Sequence, residues 1–587
     1  MPSNPLGEVH RTDVLVIGCG GAGCRAAIEA KELGVDVTLV CKGCLGASGC
    51  TPHSASEWMA YGVALGIGDP RDSPEEHFKD IVHTGAYVCD QVLARIIAYE
   101  AVDRFYDLVK WGVNFLKDER GRWLQVMSDG ATYPRACGTG ADTGKRIMQA
   151  LKRRIEELNI TVFEDMMIVD LLEHHGVVYG ALGIHVGSLE PMIFLAKSTI
   201  VATGGIGQLF MHNVYPQGMT GDGYAMALRA GAKLVNMEFM QIGPCVINPV
   251  KFDVGGILWR LGPKLYNRDQ EEFLRRYLPS GITVEKVYKL KSVTFPFTTR
   301  NPSGLIDVAC FTEICEGRGT PDNCIYFDLT HVPPNEIEEK AAIPFKFFLE
   351  HGIDIRKQPL KIAPAVQHMN GGILINERAE TSLIGLYAAG EVAGGQHGAD
   401  RPGGNSLTDC QVFGARAGKY AAERAKKIAI GSEWREIAER VLASINGMAK
   451  LKGPHRISDL KGKLRKLMWY NVTVIRSKNS LIMALDTLHR YRKYANSEIY
   501  VDEEDLLSAL ELRNMVEVAF AIITSALTRE ESRGGHYRID RPFRDDTKWV
   551  RMVVIQKRGD DLVTSFLVPR MPYLRPRPRR VPVFPST

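Results

Sequence analysis

The chain has 587 residues, of which 45% are hydrophobic and 24% are charged, and its formal net charge is +5. A chain of this length is too long for one hydrophobic core, so we expect several domains. The small net charge, without a basic stripe that carries interleaved aromatic residues, argues against nucleic-acid binding.

The ends and the hydropathy of the chain indicate where it works. Residues 1–13 lack the positive start and the apolar core of a signal peptide. No apolar run reaches the ~18–20 residues that a transmembrane helix needs. The sequence therefore predicts a soluble protein, which would reach a membrane only through a partner.

A short apolar run at residues 13–17 is typical of a buried strand, and Gly18, Gly20 and Gly23 follow it at G-x-G-x-x-G spacing. Alanines at helical intervals then predict a helix, and residues 35–40 predict a second strand. In a dinucleotide site the first glycine turns the chain, the second admits the pyrophosphate, and the third lets helix pack on strand. The phosphates meet free amides at the helix N-terminus. A dinucleotide site is predicted here; an ordinary glycine-rich turn is the alternative.

The segment after the second strand lacks the acidic residue that commonly binds a ribose, because Cys41 and Lys42 stand in its place. The Gly/Ser/Thr-rich loop that follows suits phosphates and a flat ring. Cys41 and Cys44 form a C-x-x-C, with Cys50 close behind, which allows a redox pair or a metal site. We favour small residues lining a nucleotide pocket, because no second pair stands nearby. Without a secretory context, the twelve cysteines are expected to be reduced, in the cytoplasm.

The next part of the chain alternates between helical and strand patterns. Helices are predicted at 90–111 and 141–158, and strands at 160–173 and 177–186. A buried strand then ends in a second glycine-built turn at 202–205, where backbone has room to touch a cofactor.

Further along, Asp222 precedes a short Ala-rich helix and is interpreted as a cap-like turn residue or as a group that faces the cofactor. From 238 to about 353 the α/β rhythm breaks, as expected of an inserted domain. It returns with a strand at 385–389, which ends beside Glu391. A polar, glycine-rich loop then opens a helix near Ser406, whose dipole would face a second electron-rich group, such as a reduced ring.

The C-terminal part is predicted to be helical at 432–527, with apolar stripes that we interpret as core. The last residues, 571–587, contain prolines that exclude a helix and four arginines that carry charge. We expect an extended tail, either disordered or laid on a partner.

Seven motifs between residues 12 and 549 are together far more specific than one glycine pattern. They are GCGGAG at 18–23, RACGTGADTG at 135–144, ATGG at 202–205, TGDGYAMALRAGA at 220–232, EICEGRG at 313–319, HGADRPGGNSLTDCQVFG at 397–414 and ESRGGHYR at 531–538. On these motifs, nearly the whole chain resembles the flavoprotein subunit of the succinate dehydrogenase/fumarate reductase superfamily.

The resemblance implies an α/β fold, with a Rossmann-like FAD-binding domain interrupted by an α+β capping domain and followed by a helical domain. The implied boundaries are 1–240 and 355–431 for the FAD-binding domain, 241–354 for the capping domain, 432–549 for the helical domain, and 550–587 for an extension with the Arg/Pro-rich tail. It also implies an FAD-dependent oxidoreductase that exchanges electrons with an iron–sulfur subunit. The chain has no convincing cluster motif, so that partner would be a separate protein.

The glycine pattern and the resemblance together place FAD on residues from distant parts of the chain. These residues are Gly18, Gly20, Gly21, Ala22, Gly23, Cys41, Lys42, Ser48, Gly49, Cys50, Thr51, Ala202, Thr203, Gly204, Gly205, Asp222, Glu391, Arg401, Asn405, Ser406 and Leu407. The family's attachment histidine falls on Gly49, counted from Lys42. We therefore expect FAD to be bound non-covalently, with His53 as a remote alternative, and we expect no metal site.

The active-site residues of family members that reduce fumarate are mostly replaced here. Their His-Pro-Thr histidine falls on Gly243, their Thr-Glu pair falls near Gly255–Gly256, and their proton-shuttling arginine falls on Ser303. Their second histidine falls on Gln367, and only one arginine is kept, as Arg401. Loss of one such group typically costs ~10²–10³ in rate. We therefore predict that succinate and fumarate are not the physiological couple.

The glycine replacements predict a roomier pocket that admits a larger or less charged ligand. The candidates for catalysis or anion binding are Arg401, His368, Arg300 and Arg260. Arg401 would hold a carboxylate or the electron-rich edge of the flavin. For His368 the alternative is a satisfied structural residue.

Three functions remain open from the sequence. The first is an FAD-dependent oxidoreductase subunit that passes electrons between a small substrate other than fumarate and an iron–sulfur partner. The second is a flavoprotein that only relays electrons or supports a multi-subunit complex. The third is an oxidase like L-aspartate oxidase, which the lost arginine of the cap disfavours.

Overall fold

The computed structural model describes residues 7–53 and 56–584. Its α-helices are α1 (Gly21–Glu32), α2 (Pro74–Thr84), α3 (Gln91–Lys110), α4 (Thr143–Glu157), α5 (Asp222–Arg229), α6 (Gly256–Arg260), α7 (Val284–Lys291), α8 (Gly304–Cys315), α9 (Pro334–Lys340), α10 (Ala342–Glu350), α11 (Asn405–Ala425), α12 (Trp434–Ala449), α13 (Ile457–Val472), α14 (Lys478–Lys493) and α15 (Leu506–Thr528).

The strands are β1 (Glu8–Ile17), β2 (Val37–Val40), β3 (Tyr61–Gly62), β4 (Ala136–Cys137), β5 (Thr161–Phe163), β6 (Met166–His174), β7 (Val177–His185), β8 (Pro191–Val201), β9 (Leu234–Val235), β10 (Met240–Val246), β11 (Phe252–Asp253), β12 (Lys264–Tyr266), β13 (Ile325–Asp328), β14 (Leu360–Met369), β15 (Gly372–Leu374), β16 (Leu386–Ala388), β17 (Ala393–Gly394), β18 (His455–Arg456), β19 (Ile499–Tyr500), β20 (Phe543–Asp545), β21 (Met552–Arg558), β22 (Asp561–Leu567) and β23 (Arg580–Pro582).

The largest sheet has the order β5-β2-β1-β8-β7-β6, with β16 beside β8. Its central strands are parallel, and the strand β2 is buried along its whole length, as expected for strands covered on both faces. Ile17 pairs with both Val40 and Val201, and Val201 pairs with Ala388. Four strands therefore end at one level, which is where parallel α/β sheets bind their ligands.

Helices cover this sheet in an arrangement that joins the two halves of the sequence. Helix α1 packs along α11, and α11 also packs against α3. The close approach of α1 and α11 depends on small residues, since a Cβ on Gly418 would lie 2.3 Å from the Ala26 carbonyl oxygen. Thus α11, more than 370 positions after α1, completes the same layer.

The interruption of the α/β pattern predicted from residue 238 corresponds to a second, antiparallel sheet with the order β11-β10-β14-β13-β12. Helices α6–α10 lie within this part of the sequence. We call residues 241–354 the inserted segment; these boundaries remain a prediction. The strand β10, which begins one residue before this segment, carries residues of the site described below.

The C-terminal third is helical from α12 to α15, as predicted, and its end returns to the sheets. Strand β21 pairs with β9, so a third sheet has the order β17-β15-β9-β21-β22. In the part of the chain that the structure describes, no helix combines the length and the apolar character needed to cross a bilayer.

The ESRGGHYR motif forms a fully buried ionic network. Arg529 binds Glu238 at 2.6 Å and Glu531 at 2.9 Å, and Arg533 binds Glu531 at 2.6 Å and Asp546 at 2.9 Å. Each charge thus has an opposite charge within bonding distance, which buried ions require. The motif ties the end of α15 to the segment before β10.

The tail is extended, as predicted, but its described part is not disordered, because it binds to its own chain; contact with a partner stays a prediction. The Gln91 side chain donates to the Leu574 carbonyl oxygen at 2.6 Å and accepts from the Leu574 N–H at 3.0 Å. Arg570 binds Asp90 at 2.6 Å, and β23 pairs with β20. The satisfied backbone groups explain why a proline-rich segment is held here. Residues 585–587 lie outside the described part.

Candidate active site

A cavity of about 950 Å³, which we call the central cavity, lies at the carboxyl ends of the main sheet and extends to the inserted segment. Most of the predicted site residues line it: Gly18, Gly20, Gly21, Ala22, Cys41, Lys42, Ser48, Gly49, Cys50, Thr51, Ala202, Thr203, Gly204, Asp222, Arg260, His368, Glu391, Arg401, Ser406 and Leu407. The other four, Gly23, Gly205, Asn405 and Arg300, are not among its lining residues.

The first glycine turn shows a different requirement at each position. Gly18 has φ +108°, and a Cβ on it would lie 2.3 Å from the Ala202 carbonyl oxygen. A Cβ on Gly23 would lie 1.7 Å from the Gly18 carbonyl oxygen, so Gly23 serves the packing of α1 on β1. At Gly20 the nearest atom would be Thr51 Oγ1 at 3.7 Å. The chain itself therefore leaves space beside Gly20, as a bound pyrophosphate requires.

Two helix N-termini open into the central cavity. The N-cap residues of α1 and α11 are Gly20 and Gly404, neither helix has a side-chain cap, and neither has an acidic residue in its first turn. Of the first amides of α1, that of Gly21 donates to Thr51 Oγ1 at 3.1 Å. The remaining positive ends suit a pyrophosphate and the electron-rich edge of a flat ring. The cavity volume, the open face of Gly20 and the two helix ends fit the FAD that the resemblance implies.

Lys42 and Asp222 bind each other at 3.0 Å, and Lys42 also binds Glu511 of α15 at 2.5 Å. Burial lowers the pKa of Lys42, but Asp222 and Glu511 outweigh this and hold the pKa above its usual value. Asp222 is the first residue of α5, whose N-cap is Gly221, so Asp222 is not the cap. The two residues thus form an ion pair in the wall of the cavity.

The cysteines after β2 separate into two environments. Cys41 and Cys50 line the cavity, whereas Cys44 is exposed, and all three are free thiols. Within residues 7–53 and 56–584 no three His, Cys, Asp or Glu side chains group closely enough to hold a metal ion. This arrangement agrees with small residues lining a nucleotide pocket.

Two predicted cofactor residues serve contacts inside the protein. Asn405 Oδ1 lies 2.8 Å from Nε2 of the buried His77. A Cβ on Gly205 would lie 2.2 Å from Glu391 Oε1, so Gly205 admits the Glu391 carboxyl group. Neither residue is among the lining residues of the central cavity, and a contact of either with FAD stays a prediction.

Glu391 lies between Tyr215 and the strand β14, which includes His368, and its side chain is 10% exposed. It accepts hydrogen bonds from the Tyr215 hydroxyl and from the Met369 N–H, the latter at 2.9 Å, and its Oε1 lies 3.7 Å from His368 Nδ1. Burial raises the pKa of Glu391 to about 7 and holds the pKa of His368 well below its usual value. At neutral pH the imidazole is uncharged, and it can exchange a hydrogen bond but carries no charge for an anion.

Arg401 is buried, and its guanidinium donates to the Gln241 side chain at 3.1 Å and to the Pro402 carbonyl oxygen at 2.9 Å. Gln241 also donates to Asp400 at 2.7 Å, and Asp400 binds Arg300 at 2.8 Å. Arg300 is exposed, pairs with Asp400 and is not among the lining residues of the cavity. Arg260 is also exposed, but it lines the cavity at the end of α6.

The prediction of a roomier pocket was wrong at Gly243, Gly255 and Gly256, because other groups fill the space beside each glycine. A Cβ on Gly243 would lie 2.4 Å from the Phe295 ring, because the ring covers the position where the family has a histidine. On Gly255 a Cβ would lie 2.5 Å from Glu57 Oε1, and on Gly256 it would lie 2.2 Å from a backbone oxygen, that of Ser292. The lost polar groups are replaced by an aromatic ring, a carboxyl group and backbone.

Ser303 and Gln367, on which the family's proton-shuttling arginine and second histidine fall, make other contacts here. Ser303 is fully buried at the N-cap of α8 and does not line the cavity. Gln367 does line it, and its side chain donates to Asp253 at 3.0 Å. Neither supplies a positive charge.

Three acidic residues that the sequence did not single out line the cavity near the inserted segment: Glu57, Asp129 and Asp253. Burial raises the pKa of Glu57 to about 7 and that of Asp253 to about 7, and it also raises the pKa of Asp129. They stand far apart in the chain and in no shared motif, so only the fold reveals their proximity.

Two family models match the chain. One is described as an FAD binding domain and matches residues 13–407; the other is described as fumarate reductase flavoprotein C-term and matches residues 461–579.

Related proteins align over nearly the whole chain. The sequence is 37% identical over 560 residues to one subunit of the fumarate reductase (CoM/CoB) of Methanothermobacter marburgensis, covering 94% of this chain and 98% of that protein. It is 28% identical over 586 residues to the chloroplastic L-aspartate oxidase of Arabidopsis thaliana, covering 92% and 83%. The solved structure of Mycobacterium smegmatis Sdh1 in complex with UQ1 matches with a TM-score of 0.86 and 31% identity, covering 97% of this chain and 96% of that chain.

Proposed function

Because the chain belongs to the family of succinate dehydrogenase and fumarate reductase flavoproteins, and is thus an FAD-dependent oxidoreductase, we propose that it passes electrons between a small substrate and an iron–sulfur partner. We further propose that the substrate is neither fumarate nor succinate. The family, the α/β fold with a helical C-terminal region and the FAD cofactor, which the sequence predicted, are confirmed.

The glycine at position 243, where the resemblance places a histidine, supports the proposal about the substrate most directly. Fumarate carries two carboxylates, and each requires cations or donors within hydrogen-bond reach. Here Phe295 covers Gly243, Gln367 is bound to Asp253, and Ser303 is buried elsewhere. Arg401 alone remains, so at most one carboxylate has an arginine from the conserved set.

Non-covalent binding is proposed for FAD, which supplies the transfer of a hydride or of single electrons when it is bound. Gly49 stands where the family carries its attachment histidine, and His53 Nδ1 lies 2.7 Å from the Gly49 carbonyl oxygen. The amides at the starts of α1 and α11 would hold the pyrophosphate and the ring edge. Precipitation of the protein with acid tests this, since non-covalent FAD stays in the supernatant.

A separate iron–sulfur subunit is proposed as the electron partner. The relative from Methanothermobacter marburgensis is named as one subunit of its fumarate reductase, which supports an assembly. We propose no nucleic-acid partner, and membrane contact only through partner subunits. The twelve free cysteines support a reducing compartment such as the cytoplasm.

An oxidase is the second candidate, since the chain is similar to an L-aspartate oxidase of Arabidopsis thaliana. In an oxidase, oxygen would reoxidise the flavin and peroxide would form without any partner protein. A pure electron relay is disfavoured by the size of the central cavity, which extends past the predicted FAD residues to Glu57, Asp129 and Asp253.

The experiment uses the native complex and the purified FAD-loaded chain. Mass spectrometry of the complex is expected to show a stoichiometric partner rich in cysteine motifs. The FAD-loaded chain with reduced viologen is expected to reduce fumarate at least ~10²-fold more slowly than enzymes that retain the histidines and the second arginine. Fumarate turnover at their rate would contradict the proposed substrate, and rapid peroxide formation in air would favour the oxidase.

A further inference from the structure

Three carboxyl groups line the part of the central cavity that borders the inserted segment. Glu57 comes from the loop between β2 and β3, Asp129 comes from the loop before β4, and Asp253 comes from β11. All three line the cavity. Burial is the main cause of the raised pKa values of Glu57 and Asp253; Asp129 adds to the rise in both, and Asp253 adds to that of Glu57. We call this region the acidic end.

Each carboxyl group keeps part of its bonding capacity for a ligand. Asp129 accepts from the Phe295 N–H at 3.0 Å. Asp253 accepts from the Cys245 thiol at 3.2 Å and from Gln367 at 3.0 Å. Glu57 is 8% exposed and accepts from the Ile257 N–H at 3.1 Å through Oε1; its Oε2 is buried and has no hydrogen-bond partner among the described residues.

An imidazole that also lacks a partner faces the same cavity. His368 is 4% exposed, and its Nε2 has no hydrogen-bond partner in the described part of the chain. Buried polar atoms without partners are rare and indicate a missing group. Two such atoms from separate elements, on Glu57 and His368, therefore point to a polar ligand in this cavity.

Positive charges near the acidic end are few and largely committed. Lys291 is fully buried in a 2.6 Å pair with Asp307, and Arg401 already donates to Gln241 and to backbone. Arg260 is exposed at the cavity wall, and Asp400 adds a further acid behind Asp129. A carboxylate among these acids would lose its water and meet like charge, and the nearby cation Arg260 is exposed to solvent and already acts on Glu57, which is unfavourable for an anion in a buried site.

We propose that the acidic end binds a small organic substrate that presents hydroxyl or amino hydrogen-bond donors, and no carboxylate, to Glu57, Asp129 and Asp253. This inference rests on the proposed function, because it concerns the substrate of the same flavin site. A donor satisfies the free oxygen of Glu57, and a cationic amine also neutralises the carboxylates. Fumarate and succinate offer the opposite pattern, acceptors with negative charge.

The test is a binding comparison on the FAD-loaded chain with three probes of equal length: succinate, butane-1,4-diol and 1,4-diaminobutane. Flavin absorbance difference spectra report the dissociation constants at about pH 8, where Glu57 and Asp253 are mostly ionised. The diamine is expected to bind at least ~10-fold more tightly than succinate, with the diol in between.

Carboxamide variants test whether the three acids cause this order. Glu57→Gln and Asp253→Asn are each expected to weaken binding of the diamine by about tenfold and to strengthen binding of succinate. Glu285→Gln removes the same charge from an exposed position on α7. It is expected to leave the dissociation constants of the diamine and of succinate unchanged. FAD content and melting temperature verify that each variant is folded.

Succinate binding as tight as the diamine, or no spectral response to the diol and the diamine, would overturn the inference. The inference would also be overturned if both carboxamide variants bound the three probes with the same order of affinities as the natural protein. These outcomes are independent of the proposed function, which fails instead if FAD is not bound or if fumarate is reduced at the rate of the enzymes that retain the histidines.

Discussion

The Glu57 carboxylate accepts a 3.1 Å hydrogen bond from the Ile257 backbone N–H. Ile257 lies in the first turn of α6, within the inserted segment, whereas Glu57 belongs to the loop between β2 and β3. The bond therefore joins the flavin-side loop to the inserted segment directly at the cavity wall. A carboxylate at a helix start also interacts favourably with the free amides there.

Removing this bond is expected to loosen α6. In Glu57→Ala the Ile257 amide loses its acceptor, so hydrogen exchange in the peptide that contains residues 256–260 should accelerate by about tenfold, equal to roughly 1.4 kcal/mol. Hydrogen exchange followed by mass spectrometry measures it. Glu285→Ala is the control, and equal exchange in the two variants would show that the bond does not hold α6.

The stability of the protein should depend on pH through Glu57. Its folded pKa is raised from 4.5 to about 7, so between these values the folded state binds a proton that the unfolded state releases. Stability from this group is therefore present below about pH 4.5 and is lost as the pH rises through about 7.

The matched variant Glu57→Gln isolates this contribution, because it cannot titrate. The unfolding free energy of the natural protein minus that of the variant should fall by about 2–3 kcal/mol between pH 5 and pH 8. Urea unfolding at both pH values measures it. A difference that rises with pH would mean that Glu57 is stabilised as the anion.

The space beside Gly20 should be required by FAD and not by folding. An alanine methyl there meets only Thr51 Oγ1, at 3.7 Å, and the φ of −75° is ordinary for alanine. Gly20→Ala should therefore melt like the natural apoprotein but bind FAD at least ~10-fold more weakly. FAD titration followed by fluorescence measures the loss. Gly447→Ala, on a helix surface with nothing within 4 Å, should leave FAD binding unchanged.

Phe295 and Gly243 should be energetically coupled, because a methyl on Gly243 would lie 2.4 Å from the ring. Gly243→Ala alone should cost ~1–3 kcal/mol, and Phe295→Ala alone should cost ~3–5 kcal/mol. In the double variant the added methyl no longer meets a ring, so the total cost should fall below the sum by more than ~0.5 kcal/mol. Chemical unfolding of the natural protein, the two single variants and the double variant measures the coupling. Additive costs would mean that the Phe295 ring does not contact position 243.

The buried network around Arg529 should be sensitive to the loss of one charge. Arg529→Met leaves Glu238 and Glu531 with one cation fewer in a fully buried position and should cost ~3–5 kcal/mol. Adding Glu238→Gln should recover part of it, since the uncompensated charge is then removed. Arg146→Met breaks an exposed pair and should cost at most ~1 kcal/mol by the same unfolding measurement.

Local patterns were sufficient to predict much of this fold. The helices predicted at 90–111 and 141–158 are α3 and α4, because helix periodicity is encoded within a few turns of sequence. The turn at Gly18 was predictable from the local G-x-G-x-x-G spacing, whereas its close contact with the Ala202 carbonyl oxygen comes from a distant segment and was not.

The unpredicted features depend on contacts between distant segments. Glu57, Asp129 and Asp253 meet only through folding, and no spacing connects them. A glycine at 243 suggested space, but the side chain that fills it comes from Phe295, in a different part of the inserted segment. Sequence indicates which group is missing at a position, whereas the structure is needed to identify what replaces it.

The pairing of β21 with β9, and of Leu574 with Gln91, has a consequence for the order in which the protein is made. Synthesis proceeds from the N-terminus, so β9 and the start of α3 emerge long before β21 and Leu574, their partners. Until those residues emerge, a nascent chain carries an incomplete third sheet, whose open edge can pair with other chains. Truncation before β21 should therefore give products that quality-control proteases remove.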